Sequence, residues 1–204
     1  MNHVITISRQ FGSGGRVIGY YLADKLNIPF YDNKLISLAA EENNVSEQIY
    51  KEYDEKASKL FSNMVYANPS MGYFSPYIGD MAVNDKLFET QSNIILEKAK
   101  EPCVIVGRCS DYVLRNQDNV INVFLYADLK SRIKRVEEKY DTKFKNTEKQ
   151  ILRIDKQRAH YYSTYTDREW GNPINYDICI NTSKMGIEKV GDFIIEYINV
   201  LEKK

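Results

Sequence analysis

The stretch Val4-Ile-Thr-Ile-Ser-Arg-Gln-Phe-Gly-Ser-Gly-Gly-Arg-Val-Ile-Gly19 decides the fold. Its β-branched run, Val4 to Ile7, reads as a buried strand and opens directly into Gly12-Ser13-Gly14-Gly15. Val17, Ile18, Tyr21, Leu22 and Leu26 then recur at helical spacing, and Asn27 marks a C-terminal stop. A strand that turns through glycines into a helix lets successive backbone N–H groups converge on an anion. The helix N-terminus adds about half a positive charge. The standard phosphate loop reads G-x-x-x-x-G-K-[ST]. Matching Gly15-Arg16 to its final glycine-lysine puts Gln10 at the first glycine, Arg16 at the lysine and Val17 at the hydroxyl. The backbone cradle is thus expected at Gly12, Ser13, Gly14 and Gly15, with Arg16 replacing the lysine charge. The hydroxyl that holds magnesium is absent unless Ser13 substitutes. The competing reading is a tight strand-to-helix turn with Arg16 on the surface.

Outward from this motif, short apolar runs alternate with helical patterns. Ile28 to Tyr31 is extended, and Asp32 or Asn33 caps a helix that follows. Residues 46–67 are helical and charged, 68–76 form a proline-bearing loop, and Val83 to Lys100 is helical again. Cys103 to Gly107, Val120 to Tyr126 and Tyr176 to Ile180 are further strands, and a last helix spans Ile187 to Leu201. Five continuous apolar strands separated by helices predict an α/β fold of three layers, a parallel sheet covered on both faces. The segments 33–90 and 141–172 are too long for simple crossovers. They are expected as an acceptor-binding insertion and a lid at the sheet's carboxyl edge, on a single domain spanning 1–204.

Composition narrows the class. The chain has 204 residues, 28 Lys+Arg against 28 Asp+Glu, and is 43% hydrophobic, as a globular domain without disulfide staples should be. Zero net charge argues against binding nucleic acid or anionic lipid through bulk electrostatics. Cys103, Cys109 and Cys179 form no C-x-x-C pair, which points to a reducing cytoplasmic setting, with Cys103 and Cys179 as core residues. His3 and His160 lie too far apart in sequence for a zinc motif. No apolar run reads as a signal peptide or a membrane span.

Two more arginines carry chemistry. Arg108 directly follows a buried strand, in Val104-Ile-Val-Gly-Arg-Cys-Ser-Asp111, where its planar fork can grip a phosphate. The alternative is a strand cap or a carboxylate partner. In the helical stretch Ile151 to Tyr165, Arg158 shares a face with Ile151, Ile154, Tyr161 and Tyr165, so its charge needs a partner. Asp155 is within reach one turn earlier. Arg153 points away and is expected to be solvated. The tyrosines Tyr161, Tyr162 and Tyr165 are expected to pack core and lid rather than stack on a base.

Read together, these segments resemble the cytidylate kinase-like family of P-loop nucleoside monophosphate kinases. The carriers are Ile5 to Arg16, Ile28 to Asp32, Val106 to Val113, Asp155-Lys-Gln-Arg158, Tyr161 to Thr166, Trp170-Gly171 and Asn175-Tyr-Asp177. The resemblance implies transfer of the ATP γ-phosphoryl group to a nucleoside monophosphate of the CMP or dCMP kind, with Mg2+. It also implies that Gly12 to Arg16, with Val17 beside them, hold the donor phosphates. Arg108 would hold the acceptor phosphate or the transferring group, and Asp155 and Arg158 would act from the lid. Arg132 and Arg135 would touch the donor nucleotide, and Asp32 would open the monophosphate-binding segment. Arg16, Arg108 and Arg158 would be the catalytic cations. The chain departs from the family pattern at Arg16 and Val17, at Val106 in place of an aspartate, and at Asn33, Lys34 and Leu38 in the base-reading segment. Two alternatives keep the fold: a nucleotide-binding regulatory module without turnover, or a kinase for a non-nucleotide acceptor. Oligomeric state is left open.

Overall fold

A computed structural model describes residues 2–32, 81–139 and 146–203. Strand β1 (Val4–Arg9) is buried along both faces, with Val4, Ile5 and Ile7 fully enclosed, because β-branched residues on a sheet covered from both sides need no polar alternation. Helix α1 (Gly15–Leu26) ends at Asn27, whose left-handed backbone (φ 51°) turns its N–H back onto Ala23 and Asp24 oxygens. Asparagine tolerates that cap conformation better than most side chains. β2 (Phe30–Tyr31) follows, then α2 (Met81–Lys98) and β3 (Val104–Val106). A short α3 (Ser110–Val113) leads to β4 (Val120–Tyr126) and α4 (Leu129–Lys139). The chain closes with α5 (Thr147–Thr166), a 3-10 turn at Pro173–Asn175, β5 (Ile178–Asn181) and α6 (Ile187–Glu202).

The five strands pair in the order β2-β3-β1-β4-β5, all parallel. β1 is central, with β3 on one side in register Ile7 to Val106 and β4 on the other in register Arg9 to Leu125. The chain leaves β1 toward β2 and β3 while β4 lies on the opposite flank, so the loop after β1 stands where the connections diverge. That position is the ligand crevice of open α/β sheets. Ile18, Leu22, Val190, Ile194 and Ile198 of α1 and α6 bury one face of the sheet against Ile5, Ile7, Val104, Val123 and Leu125.

Two compact units make up the chain. One comprises Met1–Asp32 with Lys98–Lys204, and the other is Asn33–Glu97. The Asn33 cap, the helix at 46–67, the loop at 68–76 and the insertion at 33–90 up to residue 80 lie outside the described residues. So do residues 140–145 of the expected lid, whose remainder contains α5. β5 begins two residues later than its apolar pattern suggested. Tyr176 still bonds back to Pro173, while the Asp177 carboxylate accepts the Asn122 N–H at 2.7 Å. No described helix is long and apolar enough to cross a membrane.

Candidate active site

Residues 10–14 between β1 and α1 form a loop held from three directions. Within it, the Ser13 hydroxyl donates to the Gln10 carbonyl at 2.8 Å and is fully buried. From β4, the Ala127 N–H donates to the Gln10 side chain at 3.2 Å. Past the end of β5, the Thr182 hydroxyl donates to the Ser13 carbonyl at 2.8 Å and accepts from Arg135 at 2.9 Å. From α5, Asp155 accepts the Phe11 N–H at 2.7 Å through one oxygen and Arg132 through the other. Arg132 also reaches the Phe11 carbonyl, and Arg135 the Gly12 carbonyl, each at 3.4 Å.

This bracing engages the loop's carbonyls and leaves several of its N–H groups without a backbone partner. Gly12 and Gly14 have φ of 78° and 90°, and among the described residues the N–H groups of Gly12, Gly14, Gly15 and Arg16 have no backbone partner. α1 carries no side-chain cap and no acidic residue in its first turn. An uncapped helix start with convergent free N–H groups fits a phosphate.

Four arginines gather near the loop. Arg16 projects from the first turn of α1, 70% exposed, with Nε 3.0 Å from Asp32 at the end of β2. Asp32 also lies 3.9 Å from Arg9. Arg158 reaches across from α5 to donate to the Arg9 carbonyl at 2.8 Å, its guanidinium 5.7 Å from the Phe11 ring centre. Arg108 sits in an unusual turn: Gly107, Arg108 and Cys109 have φ of 81°, 60° and 54° in succession. For a residue with a Cβ the left-handed region costs roughly 1–2 kcal/mol, and such strain persists where surroundings impose it, often at functional sites. The Gly107 N–H bonds to the Ile7 carbonyl at 3.0 Å, which ties this turn to the end of β1.

Arg9 itself lay outside the sequence-level site. Burial pushes its guanidinium down to about 9, and Arg158, Arg108 and Arg16 push the same way, while Asp32 opposes them. Its sequence signal is simple. It is the charged residue that ends β1, three positions before Gly12.

Asp155, Arg132 and Arg135, expected to act on substrate or donor nucleotide, bond here to the loop backbone, to one another and to Thr182. Asp155 pairs with Arg132 rather than with Arg158. Arg153, expected in solvent, is half-buried, and burial lowers its pKa. Val17 lies on the exposed surface of α1. Behind the turn, Asp111 is buried and accepts the Tyr162 hydroxyl at 2.6 Å. Burial pushes its carboxyl up, and Tyr162 and Tyr176 rise for the same reason. Tyr176 and Trp170 both pack on Phe124, at 5.0 and 5.4 Å between ring centres. The tyrosines of this segment therefore serve packing. Cys103 and Cys109 are buried thiols pushed up to about 12, and Cys179 is half-buried.

Among the described residues the donors do not fit a protein-held magnesium ion. Asp32 faces Arg16 and Arg9, Asp155 is filled by Arg132 and the Phe11 N–H, and burial of Asp111 favours its neutral form. The Ser13 hydroxyl is turned onto Gln10, and no cluster of three His, Cys, Asp or Glu side chains that could hold a metal occurs among the described residues.

A parallel sheet of this order, opened by a strand, a glycine loop and a helix, is the P-loop NTPase fold. Solved structures that share it include the shikimate kinase of Bacteroides thetaiotaomicron, at 15% identity and TM-score 0.55 over 98% of this chain and 99% of that one. A gluconokinase of Sinorhizobium meliloti shares it at 13% identity and TM-score 0.54, over 100% and 98% of the two chains. An uncharacterized protein of Eubacterium ventriosum is nearer, with 29% identity and TM-score 0.70 over 97% and 98%. No curated protein matches the sequence. Within the fold, the chain belongs to the cytidylate kinase-like family, whose profile matches residues 4–184.

Proposed function

We propose that the protein is a kinase that transfers the γ-phosphoryl group of ATP to a nucleoside monophosphate. The observation that carries this reading is the convergence of Arg9, Arg108 and Arg158, from β1, the end of β3 and α5, on one end of an anion-ready loop. The free N–H groups of Gly12, Gly14, Gly15 and Arg16 at the α1 N-terminus would cradle the donor phosphates. Arg108 and Arg158 would neutralise the transferring group and the acceptor phosphate. An acceptor phosphate oxygen forms the new bond to the γ-phosphorus while the bond to the β–γ bridging oxygen breaks, releasing ADP. Such transfers need positioning and charge neutralisation more than covalent help.

The test is ATP consumption across a panel of nucleoside monophosphates, with Arg108→Gly as the blank. Glycine relieves the left-handed backbone at position 108, so this variant should be as stable as the parent or more so, while turnover falls by about 10- to 150-fold or more for a lost charged hydrogen bond. A variant as active as the parent would refute the role of Arg108. Silence of the parent on every acceptor, in protein that binds ATP, would favour the second reading, a nucleotide-binding regulator without turnover. The observation behind that reading is that the Ser13 hydroxyl is turned onto Gln10 and no described cluster of three His, Cys, Asp or Glu side chains could hold a metal.

A further inference from the structure

The lysine of a standard phosphate loop is missing, and the side chain the sequence offers in its place, Arg16, lies on the surface against Asp32. A different, largely buried cation, 22% exposed at its side chain, stands beside the glycines. The stem of Arg9 lies over the start of α1: a Cβ built on Gly15 would stand 2.7 Å from Arg9 Cβ and 2.8 Å from its Cγ. Its guanidinium rests on Gly107 at the other side of the crevice, where an added Cβ would collide with Nη1. Arg9 therefore spans from the helix N-terminus to the turn that carries Arg108, and both glycines give it room. Its backbone carbonyl accepts Arg158, so the third arginine is registered against the same residue.

We infer that Arg9 supplies the side-chain cation of this phosphate site, binding the terminal phosphates of a nucleoside triphosphate from the end of β1 rather than from the first turn of α1. The inference rests on the kinase reading above and gives Arg9, which that reading left without a role, a ligand of its own. Three features support it. The guanidinium lies among like charges, and among the described residues Asp32, at 3.9 Å, is the carboxylate that opposes them, so an anion there relieves repulsion as well as forming bonds. Gly15, whose N–H has no backbone partner, adjoins its stem, so backbone and side chain can hold one phosphate chain together. A planar fork suits phosphate better than a lysine point charge.

The experiment measures binding of ATP and of inorganic triphosphate by calorimetry to the full-length parent, Arg9→Gln, Arg9→Lys and Arg16→Ala. Glutamine keeps the stem against Gly15 and removes the charge. Arg9→Gln should weaken triphosphate binding on the order of 10- to 150-fold, the equivalent of one charge-assisted hydrogen bond. Its melting temperature should stay level or rise, because a repelled cation has gone. Arg9→Lys should recover part of the loss, and Arg16→Ala should cost less than about threefold, as an exposed pair implies. Binding by Arg9→Gln within about threefold of the parent, or a melting temperature that falls while affinity holds, would overturn the assignment and leave the kinase reading standing. A parent that binds neither probe would overturn both.

Discussion

Replacing Asp155 by alanine tests how the phosphate loop is held. Asp155 and Arg132 are 12% and 6% exposed at their side chains, so their charges meet largely out of water. One carboxylate oxygen faces the Arg132 guanidinium, and the other takes the Phe11 N–H at 2.7 Å. Alanine leaves a buried cation uncompensated and a loop amide without an acceptor. Breaking a buried pair from one side costs about 3–5 kcal/mol. With a urea slope of about 2 kcal/mol per molar, the unfolding midpoint should fall by about 2 M. Hydrogen exchange at the Phe11 amide should accelerate more than exchange in β4, because the loop loses its anchor first. The double variant Arg132→Met, Asp155→Leu should recover most of the stability, since two apolar side chains restore packing without a stranded charge. A loss below about 1 kcal/mol for Asp155→Ala would refute the bracing argument.

Other outcomes follow from the same geometry. Gly107→Ala forces a Cβ into a backbone with φ of 81° and into the Arg9 guanidinium. It should cost about 1–2 kcal/mol in thermal unfolding and also weaken triphosphate binding; unchanged binding would mean that Arg9 does not need that space. Asp111→Asn tests the buried carboxyl. Burial raises the folded pKa of Asp111 above its ordinary 3.8, so its protonated form stabilises the fold at low pH. That contribution is lost as pH rises through the raised value. The parent should therefore lose stability relative to Asp111→Asn as pH climbs from about 4 toward neutrality, seen in melting temperatures across that range. A constant difference would show that Asp111 is charged throughout.

Much of the fold was legible because its signals are local. The run Val4 to Ile7 can only be a covered strand, Asn27 is a serviceable helix stop, and Val120 to Tyr126 forms the strand its pattern suggested, residue for residue. The glycine loop was recognisable for the same reason, since a turn and a helix start are written within a few positions. Arg108 was singled out as a candidate because it follows a buried strand. The short reach of such arguments shows at β5, where Tyr176 and Asp177 belong to a turn whose bonds run to Pro173 and Asn122.

The sequence by itself determined that a strand enters a glycine-rich turn, that the sheet is parallel, and that arginines stand near its carboxyl edge. Only the tertiary structure decided where each arginine lies and what it touches. Arg16 and Arg9 flank the same glycines and look alike along the chain. Yet one lies on the surface beside Asp32, and the other spans the crevice from Gly15 to Gly107. Arg132 and Asp155 belong to different helices and meet only after α4 and α5 pack. Arg158 finds the Arg9 carbonyl across 149 positions of sequence. Charge interactions depend on distance in space and on burial, and neither exists until the strands and helices have come together.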